Sequence, residues 1–234
     1  MSSREPKALL KTLIALLLVT LCVIAANWQY DRGIARNAKN GKVEANVKKP
    51  IVPLISITDV SRSEWQLVTV NGTFKTEHEV LLRNRYNSEG KYGFQYLTLF
   101  ETSMTSETGT LSKKRFWVDR GWVQAGATAL TRPEIPTTPA QEITIIGRIR
   151  LDNALPKGSF FALPPSGDLI NSWDLRSKVR TENFYLDLID GTGVKPKTPA
   201  QLPELSDGPH FAYALQWLFF AGLAIYGRYL IRKR

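Results

Sequence analysis

The stretch 208–227, GPHFAYALQWLFFAGLAIYG, decides how this chain is built. It is apolar over the length of a membrane span, and His210, one of only two histidines in 234 residues, stands at its head. The apolar core of the run covers about 16 residues and is prolonged by RYLI at 228–231, close to the ~20 residues that carry a helix across the hydrocarbon core. A second run lies near the other end of the chain, ALLKTLIALLLVTLCVIAA at 8–26. Lys11 and Arg228 sit where long side chains snorkel to the membrane surface. The first run is longer than the apolar region of a signal peptide, and VIAAN makes a poor Ala-x-Ala cleavage site. Lipid attachment at Cys22 would want a small residue before it, where Leu21 stands. The first run therefore reads as an uncleaved anchor.

Charge supports the same organisation. The 31 Lys and Arg outnumber the 21 Asp and Glu, a net charge of +10. Arg4, Lys7 and Lys11 with Glu5 head the first run, and Arg228, Arg232, Lys233 and Arg234 close the second, so the two flanks hold +6 of that +10. A mildly basic domain between basic membrane flanks does not point to DNA or RNA. Cys22 is the single cysteine and lies in an apolar run, where a thiol is a small apolar side chain. With no Cys-x-x-Cys and no Cys/His cluster, no zinc or copper site is expected.

Two spans put both tails on one side of the membrane. The second span has Lys195 and Lys197 before it and four basic residues after it, which favours cytoplasmic tails. The first gives no such signal, because Arg32, Arg36, Lys39 and Lys42 follow it. The expected layout is a cytoplasmic tail at 1–7, a transmembrane helix at 8–26, an extracytoplasmic domain at 27–209, a second transmembrane helix at 210–227 and a basic cytoplasmic tail at 228–234. No transit-peptide pattern precedes the first span, and a bacterial plasma membrane is expected.

The first helix is expected to continue outward over 27–41, because Gln29, Arg32 and Arg36 fall on one helical face. KKPIVPLISITD (48–59) reads as an extended linker. Strand patterns follow at EWQLVTVNGTF (64–74), ending at Asn-Gly, then HEVLLRNRY (78–86), FQYLTLFE (94–101), KRFWVDRGWV (114–123), EITIIGRIRL (142–151) with a glycine marking a bulge, and NFYLDLID (183–190). His78, between two glutamates, reads as a solvated turn residue. TRPEIPTTPA (131–140) reads as a surface connection, and NSWDLRSKVR (171–180) as a short helix capped by Asn171 or Ser172. Turn chemistry between short strands implies an antiparallel sheet or small barrel with one or two helices. The fold class is thus a membrane-anchored α+β chain, with two transmembrane helices flanking a mostly antiparallel β domain.

Several blocks taken together resemble the Surfeit locus protein 1 family, membrane-anchored factors in the assembly of haem–copper cytochrome c oxidase. WQYDR supplies Trp28, Gln29 and Arg32, with Arg36 four positions on. NGTF, then RNRYNSEGKYGFQYLT with Arg85, then VDRGWV with Arg120, Gly121, Trp122 and Val123, and finally PHFAYALQW complete the series. The sequence departs from the family pattern at Ala26, Leu99, Asp119 and Gly208, with Asp119 in place of the usual asparagine. The resemblance implies an assembly factor that is not an enzyme. It would bind haem A, or the catalytic oxidase subunit that receives it, near the outer membrane face. A permanent accessory subunit of the oxidase that holds no haem is the other reading. Membrane lipids are further partners.

The resemblance also makes His210 the expected haem ligand. Tyr213, Ala214, Trp217 and Ala221 share its helical stripe, and small residues there admit a second helix or a flat group. An imidazole at this height equally suits the membrane–water interface. Arg32 and Arg36 would meet haem propionates or lipid headgroups. Trp28 reads as a belt anchor before a haem wall, and Gln29 and Gln216 as a cross-span pair or as solvated amides. Arg85 and Arg120 read as charged partners within the domain, with Arg120 in a structural ion pair.

Overall fold

A computed structural model describes residues 6–105, 111–128, 131–151, 162–163 and 179–233. The chain divides into two compact units, Met1–Glu44 with Pro203–Arg234, and Ala45–Leu202.

Helix α1 runs over Ala8–Val47 and helix α2 over His210–Lys233. Both are long and apolar enough to cross a membrane. Helix α1 does not stop at the expected Gly41 but continues six residues further, to Val47. One glycine in a helix costs only about 1 kcal/mol against alanine, and good helix formers follow it. The helix ends where Pro50 biases its neighbour out of the helical region.

In the first unit, α1 turns its less exposed positions in one seam: Thr12, Ala15, Val19, Cys22, Ala26, Gln29, Gly33, Arg36, Asn40 and Val43. The spacing alternates three and four, the heptad pattern of a helix packed along its length. On α2 the matching positions are His210, Ala214, Trp217, Ala221, Ala224 and Arg228, of which Ala214 and Ala221 are buried. Gln29 meets His210 near one end and Thr12 meets Arg228 near the other, so the helices run antiparallel. Small residues let the backbones close in. At Gly33 an added Cβ would lie 2.7 Å from the Phe211 ring. The small-residue stripe of α2 is thus taken by a second helix.

The second unit is built on a barrel. Strands β1 (Val52–Pro53), β2 (Leu67–Tyr86), β3 (Tyr92–Thr105), β4 (Leu111–Gln124), β5 (Ile143–Leu151), β6 (Ala162–Leu163) and β7 (Phe184–Gly191) form one sheet. Its order β2-β3-β4-β7-β5 closes because β5 pairs back onto β2. The five barrel strands pair antiparallel except β4 with β7, and the short β1 is also parallel, to the start of β2. One cluster gathers side chains from all five: Val70, Phe100, Phe116, Ile145 and Leu186 among others. Only the inside of a closed barrel brings five strands to a common centre.

Four expectations change here. The stretches at 64–74 and 78–86 are not two strands but parts of one, β2, with register shifts after Lys75 and Leu82. Asn71-Gly72 is therefore mid-strand rather than a turn. Its glycine is required by crowding, because a Cβ would stand 2.3 Å from the Glu101 carbonyl oxygen. His78 accordingly lies in the shifted part of β2 and not at a turn. The linker at 48–59 is not wholly extended, since β1 leads into a 3-10 turn at Leu54–Ser56. The bulge expected in β5 is present, with a register shift against β7 at Gly147. The helix expected at 171–180 falls, apart from its last two residues, outside the described residues.

Candidate functional site

The head of α2 is shaped by Gly208, which takes φ +66°, and by Pro209, whose carbonyl accepts the Tyr213 N–H at 2.9 Å. His210 follows, half-buried, with Nδ1 3.0 Å from Gln29 Oε1. An amide oxygen only accepts, so Nδ1 carries the imidazole proton and the lone pair stands on Nε2. This is how a ligating histidine is usually held, by a hydrogen bond that fixes its tautomer and ring plane. Gln29 thus spans the pair to His210 rather than to Gln216, which is exposed on α2.

The neighbours divide into fastened and open groups. Tyr213 and Trp217 keep exposed faces beyond His210 on α2. On α1, Trp28 is exposed, and the Arg32 guanidinium lies 5.4 Å from the centre of its ring. Arg36 is fastened: Nε donates to the Ser206 carbonyl at 2.6 Å and Nη2 to Ser206 Oγ at 3.0 Å, while Asn40 donates to the same carbonyl. Tyr30 meets Phe211 edge to face at 5.7 Å. One imidazole with its tautomer set, two open aromatic faces and a cation make a donor set that fits a flat, anionic, iron-bearing group. Among the described residues no three His, Cys, Asp or Glu side chains gather as a metal cluster.

The other motif positions lie in the barrel unit. Arg120 is 1% exposed and pairs with Glu79 at 3.8 Å. It also donates to Thr138 Oγ1, to the Thr137 carbonyl at 3.1 Å and to the Pro136 carbonyl at 3.3 Å. Its guanidinium lies over the rings of Phe74 and Tyr96, and burial pulls its pKa below the ordinary arginine value. The expected structural ion pair is present. The proline-rich 131–140 stretch does more than connect strands, because its backbone carbonyls solvate this cation. Gly121 takes φ +106°, open to glycine alone at low cost, and a Cβ there would meet the Thr198 carbonyl at 2.6 Å. The Trp122 N–H donates to Thr198 O at 2.9 Å, and its Nε1–H to the Arg85 carbonyl at 3.3 Å. Arg85 and Trp122 together line a cleft of about 390 Å3.

The model of the SURF1 family matches residues 16–222, from within the first span to within the second. The chain belongs to the SURF1 family. Uncharacterized SURF1-like proteins of Mycobacterium bovis and Mycobacterium tuberculosis are 26% identical to it over 240 aligned residues, covering 95% of this chain and 82% of theirs.

One feature of this SURF1-family barrel escaped sequence reasoning. Asp119 and Asp187 are register partners on the parallel pair β4–β7, each 1% exposed. Asp119 Oδ1 accepts the Gly121 N–H at 2.9 Å, and Asp187 Oδ2 accepts from Arg150 Nη1 at 3.3 Å. Arg150 lies flat over Trp65 at 3.7 Å. Burial, and then the charge of Asp187, push the Asp119 carboxyl up to about 7 against the pull of Gly121, Arg85 and Arg150. Burial raises Asp187 as well, opposed first by Arg150. The pattern LDLID at 186–190, an acid between two apolar strand residues, was the available signal.

Proposed function

We propose that this SURF1-family chain is a non-enzymatic assembly factor for haem–copper cytochrome c oxidase. It binds haem A, or the catalytic subunit receiving it, at the outer face of a bacterial plasma membrane. Both tails are then cytoplasmic and the barrel extracytoplasmic. The observation that carries the reading is the Gln29–His210 pair, which leaves Nε2 as the free donor of an oriented imidazole. In this reading His210 would hold the iron, Tyr213 and Trp217 would wall the ring, and Arg32 would meet a propionate. Haem would supply the iron that the oxidase needs. Family membership and the two spans support the setting.

The test is a spectrum. The full chain is purified in mild detergent from cells making haem A, beside His210→Ala at equal expression. A haem A spectrum that the variant lacks supports the carrier. Haem in neither leaves a scaffold acting on the oxidase by contact, and haem in both removes His210 as the ligand.

A further inference from the structure

At the end of the helix pair away from His210, α1 and α2 leave a notch of about 280 Å3. Its floor is apolar, with Ile14 and Ala15 from α1 and Ala224 and Gly227 from α2, and Lys11 and Arg228 line it, one cation from each helix. Its depth comes from Ala15, Ala224 and Gly227, the three small residues among larger ones that include Leu18 and Ile231. A Cβ built on Gly227 has nothing within 4 Å. Arg228 cannot swing away easily. Its Nε donates to Thr12 Oγ1 at 3.0 Å and its Nη2 to the Ala8 carbonyl at 3.3 Å, which pins the guanidinium over the first turns of α1.

The shape and the charge select an occupant. An apolar slot flanked by two cations is complementary to an amphiphile with an anionic head and an aliphatic tail. Basic pockets between spans are where anionic headgroups collect. We propose that this notch binds one anionic diacylphospholipid, its phosphate between Lys11 and Arg228 and one acyl chain along Ala15, Ala224 and Gly227. The proposal rests on the membrane-anchored fold and is independent of haem.

The full chain in a non-ionic detergent is offered equal amounts of palmitoyl-oleoyl phosphatidylglycerol and phosphatidylcholine, and retained lipid is counted by native mass spectrometry. One phosphatidylglycerol should be retained, at least about fivefold over phosphatidylcholine, the scale of one Lys or Arg acting on anionic lipid. Gly227→Leu fills the slot and should abolish retention. Lys11→Gln leaves the Arg228 bonds in place and should reduce the preference without unpacking the helices. Equal retention of the two lipids overturns the proposal. So does unchanged retention in Gly227→Leu, or an unchanged preference in Lys11→Gln.

Discussion

Gln29 and His210 are 181 residues apart in sequence and 3.0 Å apart in the folded chain. The amide holds one edge of the imidazole, at Nδ1, and so decides which nitrogen is free. Removing such a supporting hydrogen bond typically costs about 10- to 100-fold in ligand affinity. If His210 holds haem A as proposed, Gln29→Leu should weaken that binding on this scale while leaving the helix pair folded. Titration of haem A into the detergent-solubilised chain measures it, and an unchanged midpoint would remove Gln29 from the site.

Gly33 and Phe211 fit tightly between the helices, with no room for a Cβ at position 33. Gly33→Val should drive the helices apart or displace the ring, at about 1–3 kcal/mol, the usual cost of overpacking. Phe211→Ala in the same chain should restore part of the loss. Thermal melts of both single variants and the double give the coupling, and strict additivity would show that the two residues do not press on one another.

The Asp119 carboxyl predicts a pH dependence of definite sign. Its folded pKa, about 7, lies above the ordinary 3.8, so the folded state holds its proton more tightly than the unfolded chain. Stability is then greatest below pH 4 for this group and is lost as pH rises toward 7. Asp119→Asn keeps an oxygen for the Gly121 N–H and has no charge to bury. The variant should be more stable than the parent at pH 8, and the gap should close toward pH 4. A gap that is flat with pH would mean the carboxyl titrates normally.

Arg120 is a buried cation held by several partners, and its loss should be costly. Arg120→Leu leaves Glu79 without its buried partner and the Pro136 and Thr137 carbonyls without their donor, a change worth about 3–5 kcal/mol. Glu79→Leu together with Arg120→Leu should recover part of it. Denaturant titrations of the single and double variants decide the matter, and a double variant no better than the single would place the cost in the carbonyls instead.

The spans and the barrel class were legible because apolar run length and strand alternation are local signals. The His210 stripe was legible too, at helical spacing on α2. What stayed hidden was set by packing between distant segments. The seam of α1 is written in Ala, Cys, Gly, Gln and Arg, which no apolar periodicity picks out in an already apolar helix. Gly72 looked like a turn because Asn-Gly usually is one, and only the approach of β3 explains it. Asp119 and Asp187 alternate correctly with their strand neighbours, yet β4 and β7 become adjacent only through a parallel pairing that a single sequence does not announce.

The two polar clasps of the helix pair, Thr12 with Arg228 and Gln29 with His210, are separated by about 26 Å of helix at ~1.5 Å per residue. That is close to the thickness of a hydrocarbon core, about 30 Å. The helix pair is therefore a gauge as well as an anchor. One residue added to α2 between the clasps would turn His210 by about 100° around the helix axis, away from Gln29, with no change in composition. The height and bearing of the imidazole are fixed by counting along two helices, so selection on the length of these spans acts on the site itself.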